Sequence, residues 1–167
     1  VKLERVANVV VIVTCLCIIV RLAVGTYPRK AAPPVAYRAG EKIADTKDLG
    51  LRTAKKTLII FENSKCPFCR QSMPFYARAI EVAHKYEVRV VALTSEDTRV
   101  NALFLQSQGV LPNAVVALKD NSLKVHGTPT LILARQDGKV AMSWLGKLTP
   151  EHEAQVMKEM GQGLAAD

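Results

Sequence analysis

The stretch that most constrains this chain is a short apolar run that ends in a turn and then in two cysteines. Thr57-Leu58-Ile59-Ile60-Phe61 is rich in strand formers and almost wholly apolar, the pattern of a strand buried on both faces. Glu62-Asn63-Ser64-Lys65 turns the chain, and Cys66-Pro67-Phe68-Cys69 follows. Met73, Tyr76, Ala77, Ile80 and Ala83 then recur at helical spacing, with Arg70, Gln71, Arg78, Glu81 and Lys85 on other faces. Pro67 suits the first helical position, where its missing N–H costs nothing. Pro74 falls inside the helix and is expected to kink it.

The remaining elements alternate in the same way. Val88–Leu93 reads as a second strand, Glu96–Gln108 as a second helix stopped by Gly109, and Val115–Ala117 as a short added strand. Gly127-Thr128-Pro129 precedes a third strong strand, Thr130–Ala134, and Gln136-Asp137-Gly138-Lys139 is a hairpin turn signal. Val140, Met142 and Trp144 alternate with Ala141 and Ser143, so they are expected on one core-facing side. Thr149-Pro150-Glu151 supplies a cap, a first-position proline and an acid at the positive end of a last helix that runs to about Met160. This order predicts an α/β domain: a central mixed sheet with helices on both faces.

A chain of 167 residues is about one domain with a short appendage. The net charge of +8 suggests nucleic acid until it is located. Residues 1–30 hold five of the 23 Lys/Arg and one of the 15 Asp/Glu, and so carry half of that charge. The rest is interspersed with acids and forms no basic helix or Arg-rich run, which argues against nucleic-acid binding. Val6–Val20 contains no charge, and with Arg21 near its end the apolar segment reaches Val24. That approaches the ~20 residues a membrane-spanning helix needs. No A-x-A site follows at a normal distance, so an uncleaved transmembrane signal anchor is expected over residues 1–24. Tyr27–Pro34 reads as an extended, proline-bearing tether. The expected organisation is an anchor at 1–24, a tether and edge segment at 25–54, and a folded domain at 55–167.

A Cys-x-x-Cys pair is by itself half a zinc site or a redox couple. A structural zinc wants four ligands. Cys15 and Cys17 lie in the apolar segment, where they read as small hydrophobes, and His84, His126 and His152 form no spaced pair. Position favours redox chemistry. Cys66 sits at a strand-to-helix junction, where unpaired N–H groups and the helix dipole favour a thiolate, and Lys65 adds a cation. Cys69, one turn further in, is expected to be more buried and within disulfide reach.

The pair Cys66-Pro67-Phe68-Cys69 with Pro74 beyond it, and Gly127-Thr128-Pro129-Thr130 leading into strand, hairpin, Gly146 and helix, resemble the thioredoxin superfamily from about Leu58 to Met160. The long Thr94–Pro129 stretch and the anchor are similar to membrane-tethered TlpA-like thiol-disulfide proteins. The resemblance implies a thioredoxin-like fold, a cis peptide bond before Pro129, and Thr128 and Pro129 as the substrate-facing wall beside the sulfurs. It implies Cys66 and Cys69 as the catalytic pair, with Lys65, Pro67 and Phe68 shaping the site. No cofactor is expected. Implied partners are protein thiols or disulfides and a redox partner that resets the pair, with the domain on the extracytoplasmic, periplasmic side of the cytoplasmic membrane. Two departures stand out. Ile60 occupies the position where many thioredoxins carry a buried acid, leaving Glu62 as the nearest substitute if it points inward. Pro67-Phe68 matches neither the strongly reducing nor the strongly oxidising pattern, so the direction of electron flow stays open. The alternative function is a copper chaperone, with Cys66, Cys69 and His126 holding Cu(I).

Overall fold

The computed structural model describes residues 2–25, 36–43, 49–118 and 123–162. The chain divides into two units, 1–32 and 33–167. In the first, helix α1 spans Lys2–Gly25, and the side chains from Val11 to Arg21 are exposed. Among the described residues no helix is long and apolar enough to cross a membrane. The expected tether at Tyr27–Pro34 lies outside the described residues.

The second unit is built on five strands: β1 (Lys56–Glu62), β2 (Arg89–Thr94), β3 (Ala114–Ala117), β4 (Thr130–Arg135) and β5 (Val140–Leu145). Their order is β3-β2-β1-β4-β5. β1, β2 and β3 run parallel, while β4 and β5 are antiparallel additions on the other side of β1. Three helices join them: α2 (Pro67–Lys85), α3 (Thr98–Ser107) and α4 (Pro150–Gly161). The expected mixed sheet with flanking helices is therefore present. α3 begins two residues later than the expected Glu96, because Asp97 caps it by accepting the N–H groups of Arg99 and Val100.

All three helices pack on one face of the sheet, against the expectation of helices on both. Leu58, Ile60, Val90, Ala92, Leu131 and Leu133 meet α2, α3 and α4 in one core. Ile59, Phe61, Val91, Leu93, Ile132 and Ala134 point the other way. That second core is closed by irregular chain at Ala36, Tyr37, Ile43, Leu49 and Leu123 and by Leu51, which opens a short 3-10 turn, Leu51–Thr53. The reason is topological. β1 to β2 and β2 to β3 step in the same direction across the sheet, so two right-handed crossovers place both helices on the same side.

A second difference lies in β5. A register irregularity between Leu133 and Ala134 pairs Leu133 with Met142 but Ala134 with Val140. The extra residue is a bulge, which resets the alternation of side chains. Val140 consequently joins the second core, while Met142 and Trp144 pack on the helical side. The turn before β5 is the expected one: Gly138 adopts φ 80, a conformation that favours glycine, and Asp137 accepts the Lys139 N–H.

Tyr37 ties the irregular layer together. It is 3% exposed. Its N–H donates to Ser143 Oγ at 3.1 Å, and Ser143 Oγ donates to the Tyr37 carbonyl at 2.6 Å. The Tyr37 hydroxyl accepts the Lys124 N–H at 2.9 Å. One residue therefore pins the N-terminal segment to β5 and to the strand of chain that leads towards Pro129. Tyr37→Ala is expected to cost about 3–5 kcal/mol in urea denaturation, as large buried aromatics do, and Tyr37→Phe about 1 kcal/mol for the lost hydrogen bond. A Tyr37→Ala chain as stable as the parent would show that this layer does not hold the domain.

Candidate active site

β1 ends beneath a tight turn, and that turn delivers the first cysteine to the head of α2. The Cys66 N–H donates to the Asn63 carbonyl at 3.0 Å, and the Lys65 N–H to Asn63 Oδ1 at 2.8 Å. Glu96, two residues beyond β2, clamps the same turn: its carboxylate accepts the Ser64 N–H at 2.9 Å and the Ser64 hydroxyl at 2.8 Å. Cys66 is the N-cap residue, with Pro67 at the first helical position as expected. The helix continues through Pro74 to Lys85.

The two sulfurs sit in different surroundings. Cys66 is partly exposed; Cys69 is fully buried; both are free thiols. Cys66 Sγ accepts the Cys69 N–H at 3.3 Å and lies 3.4 Å from the Thr128 carbonyl oxygen. Burial works to raise the Cys66 pKa. Hydrogen bonds from Cys69, Thr128 and the Phe68 backbone outweigh it and hold the thiol below its ordinary value. Burial, then the neighbouring Cys66, pushes Cys69 up to about 12. Near neutral pH the pair therefore offers one thiolate-prone sulfur and one that keeps its proton. At Glu96, burial raises the carboxyl, but hydrogen bonds from Ser64 and Asn101, with the charge of Lys65 added, hold it below its ordinary value.

The Thr128–Pro129 peptide bond is cis, as the resemblance implied. Thr128 is half-buried and Pro129 buried. The loop is held by Thr130 Oγ1, which donates to the Gly127 carbonyl at 2.6 Å, and by the Gly146 N–H, which donates to the Pro129 carbonyl at 2.7 Å. Thr128 thus faces Cys66, and Phe68 stands 57% exposed beside it. Pro67 and Lys65 are exposed. His126 is exposed too, and among the described residues no group of three His, Cys, Asp or Glu side chains converges as a metal site. The expected grouping of His126 with Cys66 and Cys69 is thus not present among the described residues. His84 and His152 are exposed helix residues, as expected.

Glu62 resolves the question raised by Ile60. It is wholly buried, and its position two residues after Ile60 puts it on the α2 face of β1. Among the described residues neither carboxylate oxygen has a partner within hydrogen-bond geometry, although the Asn101 side chain is close by, and neither the Tyr76 hydroxyl nor Asn101 Oδ1 has one. Burial pushes the Glu62 pKa up to about 7; Asn101 opposes this and Glu96 adds to it. The Tyr76 phenol, held protonated mainly by burial, also feels the charges of Cys69 and Glu62. Strand parity puts Glu62 on the same side as Leu58 and Ile60.

A thioredoxin-like domain family model matches residues 44–161. The chain belongs to the thioredoxin-like family. No curated protein matches the sequence. Among solved structures, the chain is similar to a protein of Chlorobium tepidum described as thiol:disulfide interchange protein DsbE, at 23% identity and TM-score 0.61, covering 74% of this chain and 97% of that one. A protein of Bacteroides thetaiotaomicron described as a protein disulfide isomerase is 22% identical with TM-score 0.63, over 78% and 92% of the two chains. StoA of Bacillus subtilis is 20% identical with TM-score 0.52, over 77% and 97%. These likenesses establish the thioredoxin-like fold.

The raised pKa of Glu62 has a consequence for stability. Below its ordinary value of 4.5 the carboxyl is protonated in both the folded and the unfolded chain. Between 4.5 and about 7 the unfolded chain releases the proton and the folded chain keeps it, so stability falls as pH rises through that window and then levels. Glu62→Gln should remove this fall. The difference between parent and variant across the window, measured by urea denaturation, is expected to be of order 3 kcal/mol. Parallel stability curves would place an ionised Glu62 in the folded protein.

Proposed function

We propose that the chain is a membrane-anchored thiol–disulfide oxidoreductase of the TlpA-like kind, exchanging disulfides with extracytoplasmic proteins through Cys66 and Cys69. The observation that carries the chemistry is the asymmetric pair: a half-exposed Cys66 sulfur accepting the Cys69 N–H at 3.3 Å, above a buried Cys69 whose thiol is pushed up to about 12. In the reducing direction the Cys66 thiolate attacks one sulfur of a substrate disulfide. A mixed disulfide forms, and the other substrate sulfur leaves as a thiolate. Cys69 then gives up its proton and attacks Cys66 Sγ. The second substrate sulfur leaves, and the chain holds a Cys66–Cys69 disulfide, having passed two electrons to the substrate.

Cys69 needs a base for the second step, since its own pKa lies far above neutral. Glu62 fits that role: it is buried on the same face, unpartnered, and raised to about 7. In the oxidising direction the steps reverse, and the low-pKa Cys66 is then the better leaving group. An external redox partner resets the pair in either direction. Thr128, with Pro129 behind it, forms the wall along which an extended substrate segment lies.

The anchoring part of this reading rests on the apolar run Val6–Val24 of the sequence. An uncleaved anchor places the redox pair at the membrane, where an extracytoplasmic partner resets it.

Two experiments test this reading. Cys66→Ser should abolish exchange with a disulfide substrate, while Cys69→Ser should accumulate mixed disulfides through Cys66, resolved by mass spectrometry. Trapping by the Cys66→Ser chain instead would reverse the two roles. For topology, protease added to intact spheroplasts should digest the domain. Digestion only after lysis would put the domain inside.

A further inference from the structure

The rim of the site carries more charge than the exchange chemistry uses. Three cations come from three separate elements. Lys65 is the residue before Cys66. Arg70, in the first turns of α2, donates from Nε to the Ser64 carbonyl at 2.7 Å and lies over the Phe104 ring at 5.6 Å. Lys147 follows Gly146, the residue that holds the Pro129 carbonyl, and donates from Nζ to Gln71 Oε1 at 3.0 Å. All three are exposed. Arg70 and Lys147 meet neutral partners, and among the described residues no carboxylate lies within salt-bridge distance of any of the three. The acid that feels Lys65 is Glu96, and its two oxygens are turned onto Ser64. Of the neighbouring acids, Asp97 caps α3 beside Arg99, and Glu153 pairs with Arg78. The rim is therefore positive by about two charges at neutral pH.

Burial works to raise the Cys66 thiol and hydrogen bonds from Cys69, Thr128 and the Phe68 backbone lower it, while the exposed cations face the solvent from which a substrate arrives. Phe68 adds a second unexplained feature. It is a large apolar side chain left 57% exposed beside the nucleophile. An exposed aromatic within a charged rim has the composition of a recognition patch: an apolar anchor at the centre and complementary charge around it.

Resting on the thiol–disulfide reading, we propose that Lys65, Arg70 and Lys147 select substrates whose disulfide is carried by an acidic polypeptide segment, with an apolar side chain of that segment seated on Phe68. Opposite charge at the rim raises the encounter rate and disfavours basic segments by repulsion. The test uses the full chain and three peptides that share one disulfide and one leucine beside it, flanked by glutamates, by serines or by lysines. At low salt the acidic peptide should react about tenfold faster than the basic one, and the gap should close as ionic strength rises. Lys147→Glu should shrink the acidic-to-basic ratio about threefold or more. Equal rates for all three peptides, or preference for the basic one, would overturn this proposal and leave the oxidoreductase reading standing. Failure to react with any of the three would overturn that reading itself, and the proposal with it.

Discussion

The active site depends on one contact: the sulfur of Cys66 placed at the head of α2, where it accepts the Cys69 N–H at 3.3 Å. The first N–H groups of a helix have no partner within the helix, so an N-cap side chain that accepts one satisfies a group otherwise left to water. When that side chain is a thiol, the same geometry favours its ionised form. The surrounding architecture serves this placement. β1 sets the height of the turn, Glu96 and Asn63 fix its shape, and Gly146 holds the Pro129 loop from which the Thr128 carbonyl meets the sulfur at 3.4 Å.

Beneath that contact lies a small group of buried polar atoms without partners: the Glu62 oxygens, the Tyr76 hydroxyl and Asn101 Oδ1. Buried polar atoms are normally paired, because leaving one unpaired costs about 1–3 kcal/mol. Several together in an otherwise apolar core, near Cys69, are a local cost in stability. Glu62 is the acid of this group. The acid stands two residues further along β1 than Ile60, yet a shift of two preserves the face on which the side chain emerges.

Much of this was legible in the sequence because it rests on local signals. The apolar run of β1, the Pro67 start of α2, the Gly138 turn and the Thr128–Pro129 segment are each specified by a few neighbouring residues, and the structure has them where they were expected. What escaped depends on how elements meet. Periodicity shows that α3 has a buried stripe, but not which sheet face receives it; that follows only once the order β3-β2-β1 is known. The bulge opposite Leu133 and Ala134 leaves no mark in the alternation of β5, which by itself puts Val140 on the side of Met142 and Trp144 rather than in the second core. Tyr37 sits in a stretch with no periodic pattern, and its partners Ser143 and Lys124 are distant in the chain. Glu62 was the nearest to being readable: its parity with Leu58 and Ile60 fixes its face, although parity does not reveal that both oxygens lack partners.

The most direct measurement of the site's central asymmetry is residue-resolved alkylation across pH, with each cysteine quantified by mass spectrometry. Cys66 should titrate below the ordinary thiol value of 9.0, and Cys69 should stay unmodified until pH approaches about 12. Cys15 and Cys17 lie between Arg5 and Arg21, in a different tryptic peptide from Cys66 and Cys69, and do not interfere. Equal modification of Cys66 and Cys69, or modification of Cys69 first, would contradict the assignment of Cys66 as the nucleophile at the head of α2.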